Sequence, residues 1–127
     1  MELFDLVVQD MESLKSDYSV TRLISQQLAS ADSISSNIEE GYGRLSRKEY
    51  RRFLDFARGS ARETQGRYIR MRHWLNEDVV QQRTALLDEI IGILTATMTT
   101  LTREATSVRE DSPSYGSDIA PPSTPDT

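Results

Sequence analysis

The chain of 127 residues has no cysteine and one histidine, and none of its four prolines precedes Pro113. Without thiols it forms neither disulfides nor thiolate metal sites, which fits a reducing compartment. His73 is the one imidazole, and no HExxH or DxD-type set is present, so no metal or cofactor is expected. Catalysis needs a nucleophile with a base, a metal, or paired titrating groups. Glu39 and Glu40 are adjacent and point about 100° apart on a helix, so they cannot share a proton. No enzyme is expected, and no small-molecule substrate is evident. No stretch approaches the roughly 18 apolar residues of a membrane span. The N-terminal run MELFDLVVQD has an acid at its second residue and no basic run, so it is not a signal peptide. A soluble cytoplasmic protein of one domain is the expectation.

What the chain does have is helical periodicity. Leu3, Leu6, Val7, Met11 and Leu14 recur at three- and four-residue steps, predicting a helix over residues 2–15. Leu23, Leu28, Ala31, Ile34 and Ile38 predict a second over 20–41. Tyr50, Phe53, Leu54, Ala57, Ala61, Thr64, Tyr68, Met71 and Leu75 predict a third over 47–75, with near-heptad spacing that suits shallow packing. The fourth, over 77–108, is the most apolar, with the stripe Val79, Val80, Leu86, Leu87, Ile90, Ile91, Leu94, Met98, Leu101, Ala105 and Val108, although its threonines from Thr95 to Thr106 lower helix propensity. Short links make neighbouring helices antiparallel. The fold class is therefore all-α: an up-down antiparallel four-helix bundle over residues 1–108. Residues 109–127 are acidic, Pro- and Ser-rich and without periodicity, and are predicted to be a disordered tail.

The second and third helices meet at a turn with clear punctuation. Gly41 and Gly43 stand where the second helix stops, since glycine reaches φ > 0 without penalty. Ser46 and Glu49 form a capping box for the third helix. A phosphate loop is a poor match, because no strand precedes and no GxGxxG or GxxxxGK[ST] pattern appears.

Residues 30–63 read SADSISSNIEEGYGRLSRKEYRRFLDFARGSARE. Ser30, Ala31, Ser33, Ile34, Asn37, Ile38, Glu40, Gly41, Gly43, Arg44, Ser46, Lys48, Glu49, Phe53, Leu54, Ala57, Gly59 and Ser60 match, without a gap, the pattern of one family. The segment resembles the four-helix-bundle proteins also called 23S rRNA intervening-sequence proteins. The resemblance implies a four-helix bundle assembled as a homo-oligomer, usually a ring of about five subunits. That family includes accessory proteins of diversity-generating retroelements, accessory variability determinants, which bind a reverse transcriptase and nucleic acid. The first helix departs from the pattern: it is short and lacks a Trp-containing start. The C-terminal tail lies outside it.

Net charge is −5, which at first sight disfavours nucleic acid. Residues 44–73 nevertheless carry ten bases against three acids, so this segment is +7 and the remainder −12. At about 100° per residue the bases fall mainly on the third helix's outward face. Arg44, Arg47, Lys48, Arg51, Arg52, Arg58, Arg62 and Arg70 are the candidate contacts to nucleic acid or another partner. The bland reading is a solvated face laced with i,i+4 pairs, Arg51–Asp55 and Glu63–Arg67. Three acids cannot neutralise ten bases, and arginine's fork suits phosphate. No exposed aromatic ladder accompanies the arginines, so sequence-specific single-strand reading is not expected. Gly59 and Gly66 each cost about 1 kcal/mol inside a helix. With Ser60 they are the candidate subunit interface, where small residues permit close approach. Two roles follow: a bundle that holds nucleic acid or a nucleic-acid enzyme, or a homo-oligomeric protein adaptor that binds none. Asn37 and His73 are read as structural, His73 suiting the negative end of the third helix when protonated.

Overall fold

A computed structural model describes residues 2–111, with side chains described as far as Glu104. Among these residues the chain forms four α-helices: α1 (Glu2–Glu12), α2 (Thr21–Tyr42), α3 (Arg47–Arg70) and α4 (Glu77–Asp111). One 3-10 turn, Tyr18–Val20, leads into α2, and another, Met71–His73, follows α3. The bundle is all-α and up-down. Gly41 of α2 meets Phe53 of α3 while Gln27 meets Thr64, so the pair is antiparallel. Likewise Arg47 reaches Glu104 and Gln65 reaches Thr84, which sets α4 antiparallel to α3.

The predicted stripes become the core, but in two clusters. The larger gathers Leu3, Val7 and Met11 of α1 with Ala31, Ile34, Ala61, Tyr68 and Leu87. The second, towards the α2–α3 turn, is Leu54, Ala57, Leu94 and Met98, flanked by Ile38, Tyr50, Ile90 and Leu101. It contains no residue of α1. The reason is length: α1 has 11 residues and spans about 16 Å, whereas α4 has 35 and spans about 52 Å. The first helix covers one end of a longer three-helix layer.

Several local expectations need correction. The first helix stops at Glu12 rather than 15, and Ser13 to Ser16 form turns. The third gives way to a 3-10 turn after Arg70. Residues 109–111, expected in the tail, belong to α4, and the predicted tail from 112 onward lies outside the described residues. Glu77–Glu104 is, by length and composition alone, apolar enough to cross a bilayer, contrary to the sequence expectation. Here it runs along α3 as the longest bundle helix.

Gly41 does not break α2 through a left-handed conformation. It sits inside the helix and is buried, and a Cβ there would stand 2.7 Å from Phe53 Cβ. The glycine lets α3 approach closely. Ser46 caps α3 as expected, its hydroxyl accepting from the Glu49 amide at 3.0 Å. The Glu49 carboxylate turns to Arg52 at 3.2 Å.

Candidate polyanion-binding face

The arginines divide into two groups by where the helices put them. Arg67 and Arg83 are inside. Arg83 of α4 grips Asp10 of α1 with two nitrogens, Nε to Oδ2 at 2.8 Å and Nη2 to Oδ1 at 3.1 Å. Tyr68 donates its hydroxyl to the same Oδ2 at 2.6 Å. The carboxylate raises the Arg83 pKa further, and burial together with Asp10 pushes the Tyr68 phenol well above its ordinary range. Arg67 Nη1 donates to Gln26 O, Gln27 Oε1 and Ser30 Oγ of α2, at 3.2, 2.9 and 2.9 Å. Burial, then the nearby Arg70 charge, lowers its pKa. Ser30 and Thr64 hydroxyls meet at 2.8 Å, and Thr64 donates to Ser60 O, so a polar seam joins α2 and α3.

The sequence treated Arg67 as an outer cation paired with Glu63, and that is corrected: α2 claims it. Asp10 went unnoticed although it carried a signal. It sits at the i+3 step from Val7 on the apolar stripe, where an acid requires a buried partner.

The remaining bases are outside, on α3 and the link before it. Lys48, Arg51, Arg62 and Arg70 are exposed, and none has an ion pair among the described residues. Arg47 makes a longer pair with Glu104 at 3.5 Å, with both side chains about half exposed. The expected Arg51–Asp55 pair is replaced by Asp55–Arg58 at 2.9 Å. Arg58 also donates to Thr95 of α4 at 3.1 Å and is half-buried, so it is partly drawn into the bundle.

Around the turn, cations and aromatic rings interleave. Arg44 bonds Glu40 Oε2 at 2.6 Å, and its guanidinium carbon lies 4.8 Å from the centre of the Phe53 ring. Arg52 lies 5.5 Å from both the Phe53 and Phe56 rings. The two rings meet edge to face at 5.7 Å. Phe56 is 46% exposed, Tyr42 80% and Leu45 98%. The sequence predicts no exposed aromatic ladder beside the arginines, and the individual exposed rings Phe56 and Tyr42 are what the structure adds to that reading. Periodicity located Phe53 and left Phe56 unassigned, because on a helix it falls at the edge of the polar face.

The three small residues separate. Ser60 faces inward and donates to Ser33 Oγ at 2.9 Å. Gly66 is half-buried, and a Cβ there would meet Arg70 Nη1 at 3.5 Å. Gly59 is open, with nothing within 4 Å of a Cβ position. Asn37 bonds the Ser33 carbonyl and hydroxyl of its own helix, at 2.8 and 2.9 Å. His73 packs edge to face on Trp74.

The solved structures include one with the same fold. It is a protein of unknown function from the S23 ribosomal protein family of Bacteroides thetaiotaomicron, at a TM-score of 0.72 and 21% identity, covering 76% of this chain and 92% of that one. No curated protein matches the sequence. The family model for 23S rRNA-intervening sequence proteins matches residues 1–96. With the helical layout and the motif across the α2–α3 turn, this shows that the chain belongs to the 23S rRNA-intervening sequence protein family.

Proposed function

We propose that this is a non-enzymatic, homo-oligomeric binding protein that holds nucleic acid against the outward face of α3 and the α2–α3 turn. One observation carries the reading. Lys48, Arg51 and Arg62 stand exposed on one helix face with no carboxylate among the described residues paired to them. In the same chain, Arg83 is buried against Asp10 and Arg67 is buried against α2 through its Nη1, so arginines that serve the fold are drawn inside while these three are left outside. The most specific form of the reading is an accessory role beside a retroelement reverse transcriptase and its RNA, in a pentameric ring. That form rests on the family resemblance.

The test is a titration of labelled RNA or DNA across salt. Four phosphate contacts give an affinity loss of about 50- to 150-fold between roughly 50 and 200 mM salt. Binding that does not change with salt, or no binding at low salt, rejects the proposal.

The adaptor reading, an oligomer that binds protein and no nucleic acid, is favoured by α4. Ile93 is 66% exposed and Gly92 has open space beside it, so α4 offers apolar surface to a neighbour. Of the three small residues on α3, Gly59 alone is open to another subunit. Light scattering on Ile93→Glu and Gly59→Leu separates the two faces, since the one that holds subunits together lowers the native mass.

A further inference from the structure

We infer that the α3 face prefers single-stranded nucleic acid, with Phe56 as a platform on which an unpaired base stacks. The inference rests on the nucleic-acid reading above and assigns the class of strand. The starting point is a ring in the wrong place for a core. Phe56 is 46% exposed, while its neighbour along the sequence, Ala57, is fully buried. On a helix a long side chain leans towards the preceding turn. There Arg52 meets it, its guanidinium carbon 5.5 Å from the ring centre. The following turn carries Gly59, and nothing lies within 4 Å of where its Cβ would be. The ring is therefore held against Arg52 and against Phe53, which meets it edge to face at 5.7 Å, and the following turn adds no side chain at Gly59. This gives Gly59 a use that offsets its cost inside a helix.

Further cations stand around the helix from the ring, about 80° to 140° away at 100° per residue. Lys48 and Arg51 precede Phe56 and Arg62 follows it, a run of about 21 Å along the helix by its rise. Phosphates of an extended strand can meet these while a base turns in to the ring. A duplex satisfies the same cations but keeps its base faces stacked inside, so it leaves Phe56 in water. Base faces stack on aromatic rings and on guanidinium planes whatever the base, so the preference is for strandedness and not for sequence. An acidic protein surface would also meet the cations. The duplex and oligo(dT) titrations separate it.

The experiment uses the full chain with Trp74 changed to Phe, which removes the native indole, and Phe56→Trp, which places a reporter at the platform. Oligo(dT) and a duplex of the same length are titrated at low salt. The expected result is tighter binding of oligo(dT), with quenching of the indole by oligo(dT) and not by duplex. In the otherwise native chain, Phe56→Ala weakens oligo(dT) about fivefold or more and leaves duplex binding unchanged. Circular dichroism confirms that each variant folds. Equal binding of both nucleic acids, no quenching, and no effect of Phe56→Ala overturn the inference while the polyanion reading stands. No binding of either nucleic acid overturns both, and points to a protein partner.

Discussion

The two ends of this bundle spend their charged residues differently. At the end covered by α1, Asp10, Arg83 and Tyr68 lock three helices together beneath the larger core cluster. At the turn end the core is smaller, no α1 residue reaches it, and the cations face outward among partly exposed rings. A buried charge must be paired or it destabilises the fold, whereas an exposed one can be left for a partner. The chain uses arginine in both ways within α3 itself: Arg67 is architecture, and Arg62 is surface.

The contrast is broken most forcefully at the covered end. Asp10→Ala strands the Arg83 guanidinium and the Tyr68 hydroxyl in the interior, and chemical denaturation should show a loss of about 3–5 kcal/mol. Replacing all three polar groups, Asp10→Leu with Tyr68→Phe and Arg83→Met, should recover most of it, because an apolar set of similar volume needs no partners. A stable Asp10→Ala protein would mean that the network contributes little.

At the turn end, Gly41→Ala puts a methyl 2.7 Å from Phe53 Cβ, an atom that cannot swing away. The expected loss is about 1–3 kcal/mol, read as a lowered denaturant midpoint. The same substitution at Gly59, which has open space, should stabilise α3 slightly.

Alkaline titration sharpens the contrast without mutation. The chain has five tyrosines, and burial together with Asp10 raises the pKa of Tyr68. Its folded pKa exceeds the unfolded value of about 10. Its contribution is thus complete below pH 10 and is lost as pH climbs past it, when the unfolded chain gives up the proton first. Phenolate absorbance should show one tyrosine that ionises only as the helices melt. In Tyr68→Phe that late step should vanish.

How much of this was legible in the sequence depends on the range of the interaction. Residues repeating every three or four positions announced the core: Ile34, Leu54, Ala57, Ala61, Leu87 and Leu94 are where the stripes put them. Ser46 capped α3 because capping is local. Asp10 was missed because its partners are 58 and 73 residues away. Gly41 was assigned a terminator's role because its need arises from Phe53 on another helix. Of the candidate contacts, Lys48, Arg51, Arg62 and Arg70 lie exposed as the helical wheel placed them, and Arg58 is pulled towards Thr95 by a helix the wheel does not contain. Phe56 was invisible for a related reason. A ring at the edge of a polar face becomes informative only when neighbouring guanidinium groups are seen against it.

The smallest effect on stability should accompany the largest effect on function. Lys48→Ala, Arg51→Ala and Arg62→Ala remove exposed groups, so each should shift folding by less than about 0.5 kcal/mol. The decisive measurement is the slope of log affinity against log salt for a single-stranded oligonucleotide, in the native chain and in the triple alanine variant. If α3 carries the contacts, the variant keeps its melting temperature and its slope becomes shallower by about 2. An unchanged slope in a folded variant would contradict the account.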